Sequence, residues 1–196
     1  SDFLHITPMV FDLEPLAREP LPGDHLRTRA FLKVQDGCDN FCTFCITKVA
    51  RGKGVSRSLA EVMVDVRNAL DGSVKEIVLT GVHLGSWGKD IDQTSHLRDL
   101  IETILKETNV QRLRLSSLEP WDLGESFFSL WEDSRLCPHL HLPLQSGSGA
   151  ILKKMARKTT PEKYMRIVQD ARAVVPEMAF TTDMIVGFPG ETDELF

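Results

Sequence analysis

The sequence predicts an α/β fold with parallel strands, and three observations carry that reading. Short apolar strands alternate with helical stretches from residue 29 onward. Gly or Pro punctuates most of the changes. The polar residues best suited to chemistry fall just after strands, where α/β proteins bind ligands.

The first predicted strand is Arg29–Gln35, which runs into a cysteine-rich loop. Ser58 with Glu61 is a capping-box signature, and Leu59, Val62, Met63, Val66, Ala69 and Leu70 then follow helical spacing. Gly72 ends this helix, and Glu76–Thr80 is the second strand, closed by Gly81. Leu97, Leu100, Ile101, Ile104 and Leu105 make one helical face before the third strand, Arg112–Ser116. A weaker helix is expected over 123–132, with Phe127, Phe128 and Trp131 as its apolar side. His139–Leu144 is the fourth strand, and Ile151–Met155 begins a short helix. Thr160-Pro161 starts another helix, proline suiting a first turn, with Tyr164, Ile167, Val168, Ala171 and Val175 as its buried stripe. Ala179–Val186 is the fifth strand. Helix-connected parallel strands fit either an open doubly wound sheet or an arc of a barrel, and periodicity does not choose between them.

Residues 1–28 contain Pro8, Pro15, Pro20 and Pro22 without sustained periodicity, and read as an irregular linker following an upstream domain. The 196 residues, 42% hydrophobic and 26% charged, suffice for one domain with a sizeable core and argue against disorder. No apolar run reaches the roughly 20 residues of a membrane span, and the start lacks a signal-peptide pattern, so a cytoplasmic location and no membrane partner are expected. A net charge of −5 makes this segment alone a poor candidate for strong nucleic-acid binding.

Cys38, Cys42 and Cys45 stand at a C-x3-C-x2-C spacing after the first strand. Loops that short seldom form disulfides, and clustered thiols in a reducing compartment more often bind metal. Such a loop can deliver thiolates to three corners of a 4Fe–4S cube and leave one iron open, as a catalytic centre requires. Structural zinc completed by Cys137, His139 or His141, a cluster closed by Cys137, and three unrelated thiols stay open as alternatives.

The C-x3-C-x2-C motif, with Phe44 before its last cysteine, resembles the signature of the radical S-adenosylmethionine (SAM) superfamily. The stretches Gln35–Cys42, Leu142–Ser148 and Ile185–Thr192 together resemble the methylthiotransferases of that superfamily. Thr80–Gly88 and Ser116–Pro120 look most like the branch that acts on threonylcarbamoyl-adenosine in tRNA, rather than the isopentenyl-adenosine or ribosomal-protein branches. The resemblance implies that residues 29–196 are a partial (β/α)6-type barrel of about five strands, lacking the last. It implies one 4Fe–4S cluster held by Cys38, Cys42 and Cys45, with SAM chelating the free iron. An electron donor such as a flavodoxin or ferredoxin would trigger SAM cleavage to a 5′-deoxyadenosyl radical.

Further roles follow from the same resemblance. Phe44, Ile185 and Gly187 would lie near the adenine, and Thr80-Gly81-Val82-His83 would meet the SAM amino group. Glu119 or Gln145, with Ser117 in the same pair of loops, would face the ribose or methionyl part. From charge and their place after the cysteine loop, rather than from the resemblance, Arg51 or Arg57 would pair with the carboxylate. No catalytic residue beyond the cluster ligands is implied. Members also carry a second three-cysteine domain and an RNA-binding β-barrel, so this segment alone is expected to bind SAM without completing methylthiolation. A non-catalytic, metal-stabilised binding module is the alternative from another class.

Overall fold

The computed structural model describes residues 28–92 and 94–196. The linker expected over 1–28 lies, but for Thr28, outside them. The strands are β1 (Arg29–Asp36), β2 (Val55–Ser56), β3 (Glu76–Gly81), β4 (Arg112–Leu115), β5 (His139–His141) and β6 (Ala179–Thr181). The α-helices are α1 (Thr47–Arg51), α2 (Leu59–Asp71), α3 (Leu97–Glu107), α4 (Gly149–Lys154) and α5 (Pro161–Val174).

Strands β1, β3 and β4 pair in parallel, and so do β5 and β6. Parallel bridges Leu113 to Leu136 and Ser117 to His141 carry the curl from β4 to β5. The result is a half-barrel rather than a flat sheet, which settles the choice that periodicity left open. The two-residue β2 is antiparallel to β1 and had no sequence signal; it is fixed by pairing Gln35 with Ser56 and Asp36 with Val55.

Alternate residues of each strand face the helices, as the period of two requires. Val34, Ile77, Leu79, Leu113, Leu115, Leu140 and Leu142 are buried there against Val66 of α2, Leu100, Ile101 and Ile104 of α3, and Ala171 of α5. The other set faces the barrel interior and is mostly polar, Phe31 and Val78 excepted. At the amino-terminal end, Glu76 meets Arg29 at 2.8 Å, Arg114 at 2.9 Å and Arg112 at 3.1 Å. Burial works against the Glu76 charge, but hydrogen bonds from Arg114 and Arg112 outweigh it and hold the carboxyl below its ordinary range.

Helix α2 has the expected capping box, Ser58 Oγ accepting from the Glu61 amide and Glu61 accepting from the Ser58 amide. Three expectations change: the fourth strand, expected to reach Leu144, pairs regularly only over His139–His141. The weak helix over 123–132 is a 3₁₀ segment at 125–132, because Phe127, Phe128 and Trp131 pack as a tight apolar knot. The fifth strand pairs regularly only over 179–181, after which single contacts continue, Gln145 N–H to Asp183 O and Ile185 N–H to Gln145 O. No described helix is long and apolar enough to cross a membrane.

Candidate metal and cofactor site

The loop after β1 carries Cys38, Cys42 and Cys45 at the carboxyl-terminal mouth of the half-barrel. Gly37 begins it at φ 69°, a left-handed turn that a Cβ would spoil by meeting Lys53 O at 2.0 Å. Gln35 braces this turn from below: its Nε2 donates to the carbonyls of Asp36 (2.7 Å) and Gly37 (2.9 Å), and its Oε1 accepts the His83 amide at 2.7 Å. The Cys38 amide donates to Gly52 O at 3.1 Å and the Asn40 amide to Cys38 Sγ at 3.4 Å. Far along the chain, Thr43 donates its amide to Met155 O and its hydroxyl to Lys154 O.

All four cysteines are free thiols. Cys38 and Cys42 are half-buried and Cys45 is exposed, its thiol donating to Thr47 Oγ1 at 3.1 Å. Burial raises the Cys38 pKa, with the neighbouring Cys42 adding to the rise and the Asn40 amide opposing it. The three thiols are not gathered around a common point as they stand. Their chemistry nonetheless fits an iron–sulfur cluster: three unpaired soft donors on one solvent-reached loop. Cys137 is not near them. Its amide bonds Leu113 O, which lies level with Ile77 and Ala30 at the far end of the sheet. That is roughly 20 Å of strand below Asp36 at the usual rise per residue, which removes it as a fourth ligand.

Beside Cys42 lies a feature the sequence did not reveal. Arg157, in a basic run whose simplest reading is a solvated face or an RNA contact, is buried. Its Nη1 and Nη2 meet Glu119 at 3.0 and 2.6 Å, Nη2 also donates to Pro143 O at 2.5 Å, and Nη1 is 3.7 Å from Cys42 Sγ. Its Nε has no partner among the described residues, and the guanidinium sits 4.6 Å from the Trp121 ring. Burial disfavours the charge, but Glu119 and then Cys42 more than restore it, so its pKa is raised. Only the residue type gave a signal: arginine suits a buried two-point ion pair better than lysine.

The remaining expected residues are dispersed around this mouth. Phe44 is half-exposed on the loop. Thr80 and Gly81 end β3, Gly81 packing against Gln35, and Val82 is exposed. The His83 side chain is buried and engaged: Nε2 is 2.7 Å from Asp122 and Nδ1 3.4 Å from Asn40. Ser117 is exposed and bridges to His141. Gln145 holds φ 78°, a strained position at which its backbone joins the β5 and β6 extensions. Ile185 is half-buried, and Gly187 at φ 74° donates to Glu191, whose carboxylate turns back onto its own turn. Of the two arginines expected near a carboxylate, Arg51 is exposed 3.5 Å from Asp36, while Arg57 is engaged by Asp65 at 2.7 Å and Lys33 O.

Inside the barrel, His139 and His141 share a face and both contact Thr181 Oγ1, at 3.1 and 2.8 Å. His141 also reaches Asp183 at 3.2 Å. Burial, then the Arg114 charge, lowers the His139 pKa, keeping that ring neutral. Trp87 and Trp131 are core residues, while Trp121 stays half-buried under two cations.

A half-barrel with a three-thiol loop at its mouth, beside a buried arginine paired to a half-buried glutamate, has the donor chemistry of a metal-cofactor domain. The radical SAM superfamily profile matches residues 32–196, and the chain belongs to that superfamily. Membership implies a 4Fe–4S cluster and SAM as cofactors. The chain is 44% identical over 172 residues to the threonylcarbamoyladenosine tRNA methylthiotransferase MtaB of Thermotoga maritima, covering 87% of this chain and 39% of that protein. It is 38% identical over 189 residues to a tRNA-2-methylthio-N(6)-dimethylallyladenosine synthase of Clostridium tetani, covering 95% and 42%. The chain thus spans about two fifths of the relatives it matches. Among solved structures, the radical SAM methyltransferase TsrM of Kitasatospora setae superposes with a TM-score of 0.69 at 19% identity, over 85% of this chain and 32% of that one. At that identity the match speaks for the fold alone.

Proposed function

We propose that this chain is the SAM-binding core of an enzyme that methylthiolates an N6-substituted adenosine in tRNA, threonylcarbamoyl-adenosine first. The observation that carries the proposal is the meeting of Cys42, Arg157 and Glu119 at the mouth of a half-barrel whose similar relatives are tRNA methylthiotransferases. Cys38, Cys42 and Cys45 would hold the cluster, leaving one iron for SAM. When bound, the pair supplies reductive cleavage of SAM and abstraction of hydrogen from an unreactive C–H bond, driven by a low-potential carrier such as a flavodoxin or ferredoxin.

The residues of the chain bind and orient. Phe44, Ile185 and Gly187 would bracket the adenine, with Val82 and Ser117 exposed nearby. Glu119 and Gln145 would face the ribose or methionyl part. Arg57 is spoken for by Asp65, so the carboxylate role passes to Arg51 or to Arg157, whose unpartnered Nε leaves one N–H for an anionic group. The polar interior lined by His139, His141 and Thr181 would receive the tRNA base.

The dimethylallyl branch is the second reading, favoured by the Clostridium tetani relative, which matches more of the chain. Two measurements test the proposal. Anaerobic reconstitution with iron and sulfide should give a brown protein absorbing broadly near ~400 nm, whereas a zinc protein stays colourless. Mass spectrometry of tRNA from cells lacking the full-length gene should show the loss of one methylthio nucleoside. Loss of the threonylcarbamoyl form selects the first branch, loss of the dimethylallyl form the second, and loss of neither overturns both.

A further inference from the structure

A chain of three side chains connects the 3₁₀ turn after β4, Pro120–Asp122, to the cysteine loop. Asp122 is almost wholly buried, with 3% of its side chain exposed; His83 keeps 8% and Asn40 8%. Asp122 Oδ2 lies 2.7 Å from His83 Nε2, and Oδ1 accepts from Lys89 Nζ at 3.0 Å. His83 Nδ1 faces the Asn40 amide nitrogen at 3.4 Å. With the Asn40 amide nitrogen turned toward it, Nδ1 is placed to accept, and Nε2 to carry the proton that it gives to the carboxylate. Asn40 in turn belongs to the turn between Cys38 and Cys42, and its backbone amide donates to Cys38 Sγ.

We propose that Asp122 is a positioning residue for the cluster loop, acting through His83: it fixes the ring tautomer that accepts from Asn40 and so orders the turn bearing Cys38 and Cys42. The inference rests on the reading of that loop as the cluster site. A neutral partner at 122 would not substitute. In Asp122→Asn, Lys89 draws the amide oxygen, so the amide nitrogen turns to His83 Nε2. The ring proton is driven to Nδ1, where it opposes the Asn40 amide nitrogen, and the contact is regained only if the carboxamide turns over to present its oxygen. Exchanging the two residues in Asp122→Asn/Asn40→Asp restores an acceptor at position 40 and the order of donors and acceptors.

The test is hydrogen exchange and thiol alkylation on the reduced, metal-free protein. Asp122→Asn should speed exchange of the 37–45 amides, and alkylation of Cys38, by roughly tenfold, the loss of about one hydrogen bond, while β3 and α2 amides stay protected. The exchange variant should recover most of that loss, and reconstituted iron content should follow the same order. A single variant within twofold of the parent, or a double variant with no recovery, overturns the proposal. Should Asp122→Asn not fold, Asn40→Ala, which leaves the buried His83–Asp122 pair intact, must loosen the loop by itself; an unchanged loop there overturns it equally. If the parent never takes up iron and sulfide, the cluster reading falls, whereas the loop-exchange result stands independently.

Discussion

Arg157 meets Glu119 at two points, 3.0 and 2.6 Å, while its Nη1 lies 3.7 Å from the Cys42 thiol. The pair joins the loop after β4 to the end of α4, and the thiol joins both to the loop after β1. One guanidinium therefore sets the relative positions of three segments that share no local sequence.

Arg157→Met is expected to destabilise the fold by about 3 kcal/mol, the low end for a buried pair stripped of one partner, because Glu119 keeps some access to water. Urea denaturation of the metal-free protein reads this directly. Removing both partners in Arg157→Met/Glu119→Gln should recover part of the loss; if it deepens instead, the pair is not what the single variant reports.

Glu76 gives a pH dependence of known sign. Its folded pKa lies below its ordinary value, so its contribution is present above about pH 4.3 and fades as the pH falls through the folded pKa. Glu76→Gln should lose about 1–3 kcal/mol at pH 7, from arginines left without their carboxylate. The gap between parent and variant should narrow steadily below pH 4. A gap that is constant from pH 7 to 3 would refute the assignment.

Gly37→Ala should cost at least about 1–2 kcal/mol from its left-handed backbone alone, with the contact to Lys53 O adding to it. Thermal melting measures the loss. Iron content after reconstitution should fall with it, since the turn launches the cysteine loop.

Cys42→Ala should leave the circular dichroism spectrum unchanged, because the thiol is half-buried on a loop outside the apolar core. Iron content and SAM cleavage should both vanish. Retention of either by this variant would end the three-thiol assignment.

How much of this was legible beforehand varies with the range of the interactions. Helix α2 was readable to within a residue because its start is a local device, Ser58 with Glu61, and its stripe is periodic. The three cysteines were readable because their spacing is itself the chemistry. By contrast, β2 exists only because Val55 and Ser56 meet β1, and two residues carry no period. The roles of Asp122, Asn40 and Arg157 are not legible in the sequence because each acts through partners some 38 to 43 positions distant. The resemblance draws attention to His83, but its engagement by Asp122 and Asn40 is not legible in the sequence. Arg57 looked equivalent to Arg51 until the structure placed it against Asp65.

The anchors of Thr43 have an implication for biogenesis. Its amide and hydroxyl are held by the carbonyls of Met155 and Lys154, so during synthesis the thiols emerge more than a hundred residues before the groups that secure them. Until the ribosome has delivered α4, the nascent loop has its supports from Gln35 and Gly52 but lacks the two Thr43 anchors, and its thiols are more open to oxidation or to stray ions. A cluster on the proposed thiols would gain these two anchors only after α4 has been synthesised.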